Sequence, residues 1–148
     1  MINANTSVEE ALKVGEKKCN GCIHCCSFGS AYVLKEEIPE LAKNLKISED
    51  KLINEYLEPF ELFNTKHFRF KQLRKDLPYG KCIFLEKKGC KIHNIRPLHC
   101  RIATCDENGE EINNWFRIKF FLNLEDKESV RQYKEYLQFG KTIPGVKL

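Results

Sequence analysis

The sequence predicts a small α+β fold: a mainly helical single domain with one β-hairpin and cysteine-rich loops arranged around metal. Three observations lead there. A chain of 148 residues with 42% hydrophobic content suffices for one ordinary domain with a modest core. Apolar residues recur at helical spacing in several stretches, while strand-like alternation is confined to short ones. Eight cysteines fall into two groups: Cys19, Cys22, Cys25 and Cys26 within eight residues, and Cys82, Cys90, Cys100 and Cys105 within 24.

The elements follow in order. Ser7 opens a capping box with Glu10, and Val8, Ala11 and Leu12 follow at near-helical spacing, predicting a helix over 7–18. Gly21 allows the tight turn of a C-x-x-C, and Gly29 and Ser30 close the cysteine loop. Ala31–Leu34 is apolar and β-prone, a brief strand. Lys35–Lys46 reads as helix, with Ile38, Leu41, Ala42 and Leu45 on one face and Pro39 tolerated in the first turn. A further helix starts at Ser48 and carries Leu52, Ile53, Tyr56 and Leu57 until Pro59.

Phe68–Leu73 alternates apolar and polar residues, the period of a half-buried strand, and Pro78-Tyr79-Gly80 is a turn. Cys82–Leu85 and Cys90–His93 flank Glu86–Gly89 as a hairpin. That hairpin is expected to set Cys82 and Cys90 near the same end of two paired strands. Arg96-Pro97 then turns the chain toward Cys100. Trp115–Leu122 is rich in strand formers but mixed in period, so strand and helix both stand. A helix over about 124–139 opens on Glu125 and Asp126 and ends at Gly140, and the composition of 141–148 allows a loose tail.

Thiolates at this density hold soft metal in a reducing environment. The C-x2-C-x2-C run lets consecutive thiols curl around one inorganic core, as in bacterial ferredoxins, where three such cysteines and a distant fourth hold a 4Fe–4S cube. Cys25 and Cys26 are adjacent, and neighbouring side chains usually point apart, so this pair suits two irons or two sites better than one tetrahedral ion. Structural zinc is the alternative; it usually takes separated C-x2-C pairs, or C-x2-C with histidine. A disulfide framework needs an oxidising compartment, and the first ten residues contain no apolar stretch of the kind that leads export. No apolar run reaches the length of a membrane span. The reading is therefore a soluble, cytoplasmic protein. A net charge of +4 with Lys and Glu interspersed falls short of a nucleic-acid signature.

Taken together, Cys19-x2-Cys22-x2-Cys25-Cys26, then Cys82-Ile83-Phe84-Leu85, Gly89-Cys90-Lys91-Ile92-His93 and Arg96-Pro97-x2-Cys100-Arg101 resemble the CxxCxxCC, or YkgJ-type, cysteine-cluster family of zinc- or iron-chelating domains. The resemblance runs from Cys19 to about Cys105. It implies metal chelation by the cysteines and no defined reaction. Seven cysteines match the family pattern, and Cys105 is additional. Flagellin lysine N-methylases carry a similar cysteine pattern in a longer chain, with S-adenosylmethionine and an iron–sulfur cluster. The present chain lacks a Gly-rich methyltransferase motif.

Arg96 and Arg101 match the family's Arg-Pro and Cys-Arg elements. A cluster held by four thiolates is negative, and nearby guanidinium groups would offset that charge and donate to sulfur; the plainer reading is two surface arginines in ion pairs. His24 and His99 each adjoin a cysteine. Imidazole can replace a thiolate, but a partly exposed structural histidine is the commoner case. His93 reads as structural. Lys17, Lys18, Lys87, Lys88 and Lys91 flank the cysteines and would steer an acidic protein partner, or form a solvated face. No Ser-His-Asp arrangement or carboxylate pair stands out, and the sequence contains neither a P-loop nor a dinucleotide fingerprint.

The sequence thus points to a protein that holds one or two 4Fe–4S clusters through Cys19, Cys22, Cys25, Cys26, Cys82, Cys90, Cys100 and Cys105, in a redox, cluster-carrying or accessory role. A zinc-folded interaction module is the alternative. A small cluster-dependent enzyme, with one iron left open by a three-thiolate ligand set, is a further one. The split of the cysteines among sites stays open: Cys26 can join Cys82, Cys90 and Cys100 in a second site, or one site can draw on both groups.

Overall fold

The computed structural model describes residues 2–16, 29–74, 77–104, 108–140 and 142–148. The chain divides into two compact units, one comprising Met1–Cys19, Glu61–Lys66 and Ile102–Leu148, the other Asn20–Phe60 and His67–Arg101.

The first unit starts with the helix Val8–Glu16. Its capping box is reciprocal, as the S-x-x-E spacing predicts: the Glu10 N–H donates to Ser7 Oγ at 3.1 Å and the Ser7 N–H to Glu10 Oε2 at 3.2 Å. The aromatic stretch of uncertain period forms the helix Gly109–Phe121, which buries Ile112, Trp115, Phe116 and Phe121. The Trp115 indole N–H donates to the Thr6 carbonyl at 2.9 Å, so the one buried polar atom of this ring has its partner. The last helix spans Lys127–Tyr136, shorter than 124–139. Asp126 caps it by accepting from the Glu128 N–H at 3.1 Å, which leaves Leu124 and Glu125 in the turn before it. Beyond it the chain folds back: Ile143 is buried, the Ala4 N–H donates to the Pro144 carbonyl at 2.9 Å, and the Tyr133 and Thr142 hydroxyls bond each other.

The second unit contains the strands β1 (Tyr32–Val33), β2 (Leu57–Leu62) and β3 (Thr65–Phe70), in the order β1-β3-β2. The tip of the β2–β3 hairpin is the Glu61–Lys66 stretch of the first unit. β1 is antiparallel to β3, with Tyr32 opposite Arg69 and Val33 opposite Phe68. Between β1 and β2 lie the helix Ile38–Leu45, with Pro39 in its first turn, and a helical stretch that begins at Glu49. Ser48 caps the latter by accepting from the Lys51 N–H at 3.1 Å. That stretch ends at Tyr56 in a wide final turn. Pro59 does not end a helix; it lies inside β2. A proline is tolerated there because β2 is an edge strand and its unpaired edge needs no ladder donor.

Two further ladders complete the unit. β4 (Gln72–Leu73) pairs with β5 (Lys81–Cys82), and β6 (Leu85–Glu86) pairs with β7 (Gly89–Cys90). The core gathers Val33, Ile38, Leu41, Leu52, Leu57, Phe70, Phe84 and Ile92. Helix accounts for less than half of the described residues, so the fold is less helical than the sequence suggests. Part of the remainder forms small antiparallel sheets, above all the β2–β3 hairpin.

Candidate metal centre

Cys82, Cys90 and Cys100 are the described cysteines; Cys19, Cys22, Cys25, Cys26, Cys105 and His24 lie outside the described residues, as do Lys17 and Lys18. The three described thiols belong to one neighbourhood. Cys82 is part of the core of the second unit, and Cys90 and Cys100 pack against that same core. Among the described residues, no three His, Cys, Asp or Glu side chains already stand close enough together to hold a metal ion.

Each of these three cysteines is placed by its own element. Cys82 ends β5, opposite Gln72. Closing this hairpin needs Gly80: a Cβ there would sit 2.2 Å from the Leu73 carbonyl oxygen. Cys90 ends β7, opposite Leu85, beyond the two-residue turn Lys87-Lys88. The expected hairpin over Glu86–Gly89 is therefore present, but it pairs Cys90 with Leu85, and Cys82 belongs to a separate ladder. The strand is handed over between the two: the Ile83 N–H bonds the Lys71 carbonyl at 3.0 Å, and the Lys91 N–H bonds the Phe84 carbonyl at 2.8 Å. Cys100 lies on the short helix Leu98–Ile102 that follows Arg96-Pro97.

Burial pushes the Cys82 thiol above its usual pKa; a hydrogen bond from the Phe84 N–H pulls it down, and the nearby Cys90 raises it again. This combination fits a soft-metal ligand. Left alone, the buried sulfur is a neutral thiol. A bound metal cation would make the thiolate the favoured form, and the Phe84 amide already points at the sulfur that would carry the charge. A second thiol within electrostatic range supplies another donor.

The chain leaving the N-terminal cysteine run is anchored close to this ladder. Ser30 Oγ donates to the Phe70 carbonyl at 2.6 Å, and Gln72 Nε2 donates to Ser30 Oγ at 3.1 Å. Gln72, the partner of Cys82 across the ladder, also accepts from the Gly80 N–H at 3.2 Å. One glutamine thus ties the end of the cysteine loop to both strands of the hairpin that holds Cys82.

Of the arginines singled out from the sequence, Arg96 is half-buried and its Nε donates to the His93 carbonyl at 2.9 Å, which locks the turn before Pro97. Arg101 is exposed on the helix of Cys100. His99 takes the structural role: its Nδ1 accepts from the Tyr32 N–H at 2.9 Å, and its ring stacks on Tyr32 with centroids 4.7 Å apart. Two supporting residues carry no signal in the sequence. His67, buried on β3, accepts from the Lys35 N–H at 3.1 Å. Glu37 accepts from the Leu98 N–H at 2.8 Å.

Comparison with known proteins agrees with the cysteine pattern. The model of the CxxCxxCC family, described as "Putative zinc- or iron-chelating domain", matches residues 18–134. The chain belongs to this family. An uncharacterized protein of Methanocaldococcus jannaschii is 36% identical to it over 86 residues, which cover 57% of this chain and 42% of that protein. The chain thus spans less than half the length of that relative. No solved structure matches it significantly. Among the described residues, no helix is long and apolar enough to cross a membrane.

Proposed function

We propose that this member of the zinc- or iron-chelating family holds an iron–sulfur cluster of the 4Fe–4S type through cysteine thiolates, in a redox, cluster-carrying or accessory role. The observation that carries the reading is the donor set: a C-x2-C-x2-C-C run, with Cys82, Cys90 and Cys100 around one core. Cubane clusters take cysteine thiolates almost alone, often three from a closely spaced run and one from afar.

Chain connectivity favours a site that draws on both groups. Cys26 is four residues from Ser30, and four residues span at most about 14 Å. Ser30 in turn is bonded to Gln72, opposite Cys82. When bound, the cluster would supply one-electron chemistry. The chain's own part is to bring the thiolates together, bury Cys82 away from water and aim the Phe84 amide at its sulfur.

The deciding experiment is iron, zinc and acid-labile sulfide analysis, with a visible spectrum, on protein purified without oxygen. About four irons per cluster with matching sulfide is the expected result. Zinc without sulfide in colourless protein would replace the cluster with the family's other metal, and the search for function would move to the protein surface.

A further inference from the structure

The helix that carries Cys100 spans five residues, Leu98–Ile102. A helix of this length does not hold itself together, because its few backbone bonds do not repay the cost of nucleation. Its placement has to come from contacts outside it. Ile102 is buried and Cys100 packs against the core, and two side chains add hydrogen bonds that fix the helix to a distant segment.

The first is Glu37. One carboxylate oxygen, Oε1, accepts from the Leu98 N–H at 2.8 Å, where the helix begins. The other, Oε2, accepts from the Leu34 N–H at 2.9 Å and closes the turn in which Glu37 itself lies. A single carboxylate therefore satisfies a donor in its own turn and an orphan donor 61 residues away from it. The second is His99, on the helix itself. It reaches back to β1, where Nδ1 accepts from the Tyr32 N–H at 2.9 Å and the ring lies nearly parallel to that of Tyr32, at 13°. β1 is an edge strand, so a donor facing away from β3 needs a partner from outside the sheet.

Both contacts end on the same short segment, Tyr32–Glu37, which begins six residues after Cys26, the last cysteine of the first group. We infer that Glu37 and His99 are positioning residues of the metal site, which fasten Cys100 to the segment leaving the Cys19–Cys26 run. The inference rests on the metal reading above. It differs from that reading in giving His99 the task of accepting a backbone N–H, where the sequence also allowed it to replace a thiolate. Preorganisation is the physical gain: ligands that must converge from distant parts of the chain bind metal more tightly when their elements are fixed before the metal arrives.

The test uses the full chain, loaded without oxygen with ferrous iron and sulfide, or with cobalt(II) where iron and sulfide do not bind. Glu37→Ala and His99→Ala are expected to speed metal release to a chelator by about 10–100-fold, the range for loss of an outer-shell partner, and to shift the visible thiolate–metal absorption. Glu37→Gln keeps one accepting oxygen of two, so its release rate should fall between wild type and Glu37→Ala. Ser48→Ala removes a cap of the same kind elsewhere in the unit; it should lower stability while leaving spectrum and release rate unchanged.

Alanine variants that match wild type in both readouts overturn the inference and leave the metal reading standing. So does a Ser48→Ala variant that reproduces their effect, since loss of a cap anywhere would then explain it. Should the alanine variants fail to fold, Glu37→Gln decides alone, and a wild-type release rate counts against the inference. Wild-type protein that takes up neither iron nor cobalt overturns the metal reading, and the inference with it.

Discussion

Glu58 on β2 is gripped by two arginines: Arg69 Nε at 2.7 Å and Arg74 Nη2 at 2.9 Å both meet Oε1. Arg69 also lies over the Phe60 ring, 5.2 Å from its centroid. Burial alone would raise the Glu58 pKa, but hydrogen bonds and charge from Arg74 and Arg69 together outweigh it and the net shift is downward. A carboxyl whose pKa is lower folded than unfolded stabilises the protein above its unfolded value, and that contribution fades as pH falls through the folded one. Glu58→Gln is therefore expected to cost about 1 kcal/mol at pH 7, at the upper end for partly exposed pairs. The difference from wild type should shrink as the pH drops below about 4. Urea titrations across this range test it, and a cost independent of pH would mean that packing, not charge, is what the substitution removes. Legibility in the sequence at this scale depended on separation along the chain. The Ser7 and Ser48 caps could be read because their partners lie three residues away. Glu37 could not, because its partner Leu98 is 61 residues away and a lone glutamate in a helical stretch looks like any solvated one. The candidate cysteine ligands could be listed but not grouped, since spacing says little about which strands will meet.

The β2–β3 hairpin turns on Phe63 and Asn64, both in left-handed conformation with φ of 49° and 57°. Two consecutive positive φ values are what a two-residue hairpin loop requires, and Asn-Gly is its usual sequence. Here the second position is an asparagine, which tolerates that region, but the first is a phenylalanine, for which it is strained. Tertiary contacts hold the strain. Phe63 is buried edge-on against Tyr133 and Tyr136, each at 5.3 Å. The Asn64 N–H donates to Gln132 Oε1 and its Nδ2 to Asp126 Oδ2, both at 2.9 Å. Asn64→Ala loses both the conformational tolerance and the Asp126 bond, and is expected to destabilise by about 1–2 kcal/mol. Asn64→Gly loses only the bond and should cost less. Chemical denaturation orders the pair, and an alanine variant as stable as the glycine one would show that the turn relaxes to negative φ. This hairpin was the main element the sequence concealed. Leu52, Tyr56 and Leu57 continue a helical period up to Pro59, no Gly marks the turn, and the determinants of Phe63-Asn64 lie on a helix more than 60 residues downstream. The helix Ile38–Leu45 and β1, whose signals are local, appeared where expected.

At the scale of the whole molecule, the two units carry separable reporters. The only tryptophan of the chain, Trp115, is 1% exposed in the first unit, where its indole bonds Thr6 and its ring meets Phe120 edge-on at 6.0 Å. The second unit contains Cys82, Cys90 and Cys100, in or against its core, and its ladders β4–β5 and β6–β7 are two residue pairs long. Ladders so short add little stability by themselves, so this unit has the most to gain from metal, whose binding energy becomes folding energy wherever ligands are brought together by the fold. The first unit has helices of nine, thirteen and ten residues and a dense aromatic core to rely on. Chelation of the metal is therefore expected to act unevenly. Amide exchange at Ile83 and Lys91, whose N–H groups join the cysteine-bearing ladders to their neighbours, should rise by orders of magnitude toward the unfolded rate. Trp115 should keep the emission of a buried indole until denaturant is added. If Trp115 emission shifts to that of an exposed ring on chelation alone, the two cores melt as one cooperative system, and the metal stabilises the entire chain. If neither reporter moves while metal leaves, the ladders stand without it, and metal binding is then a function carried by a fold that is stable on its own.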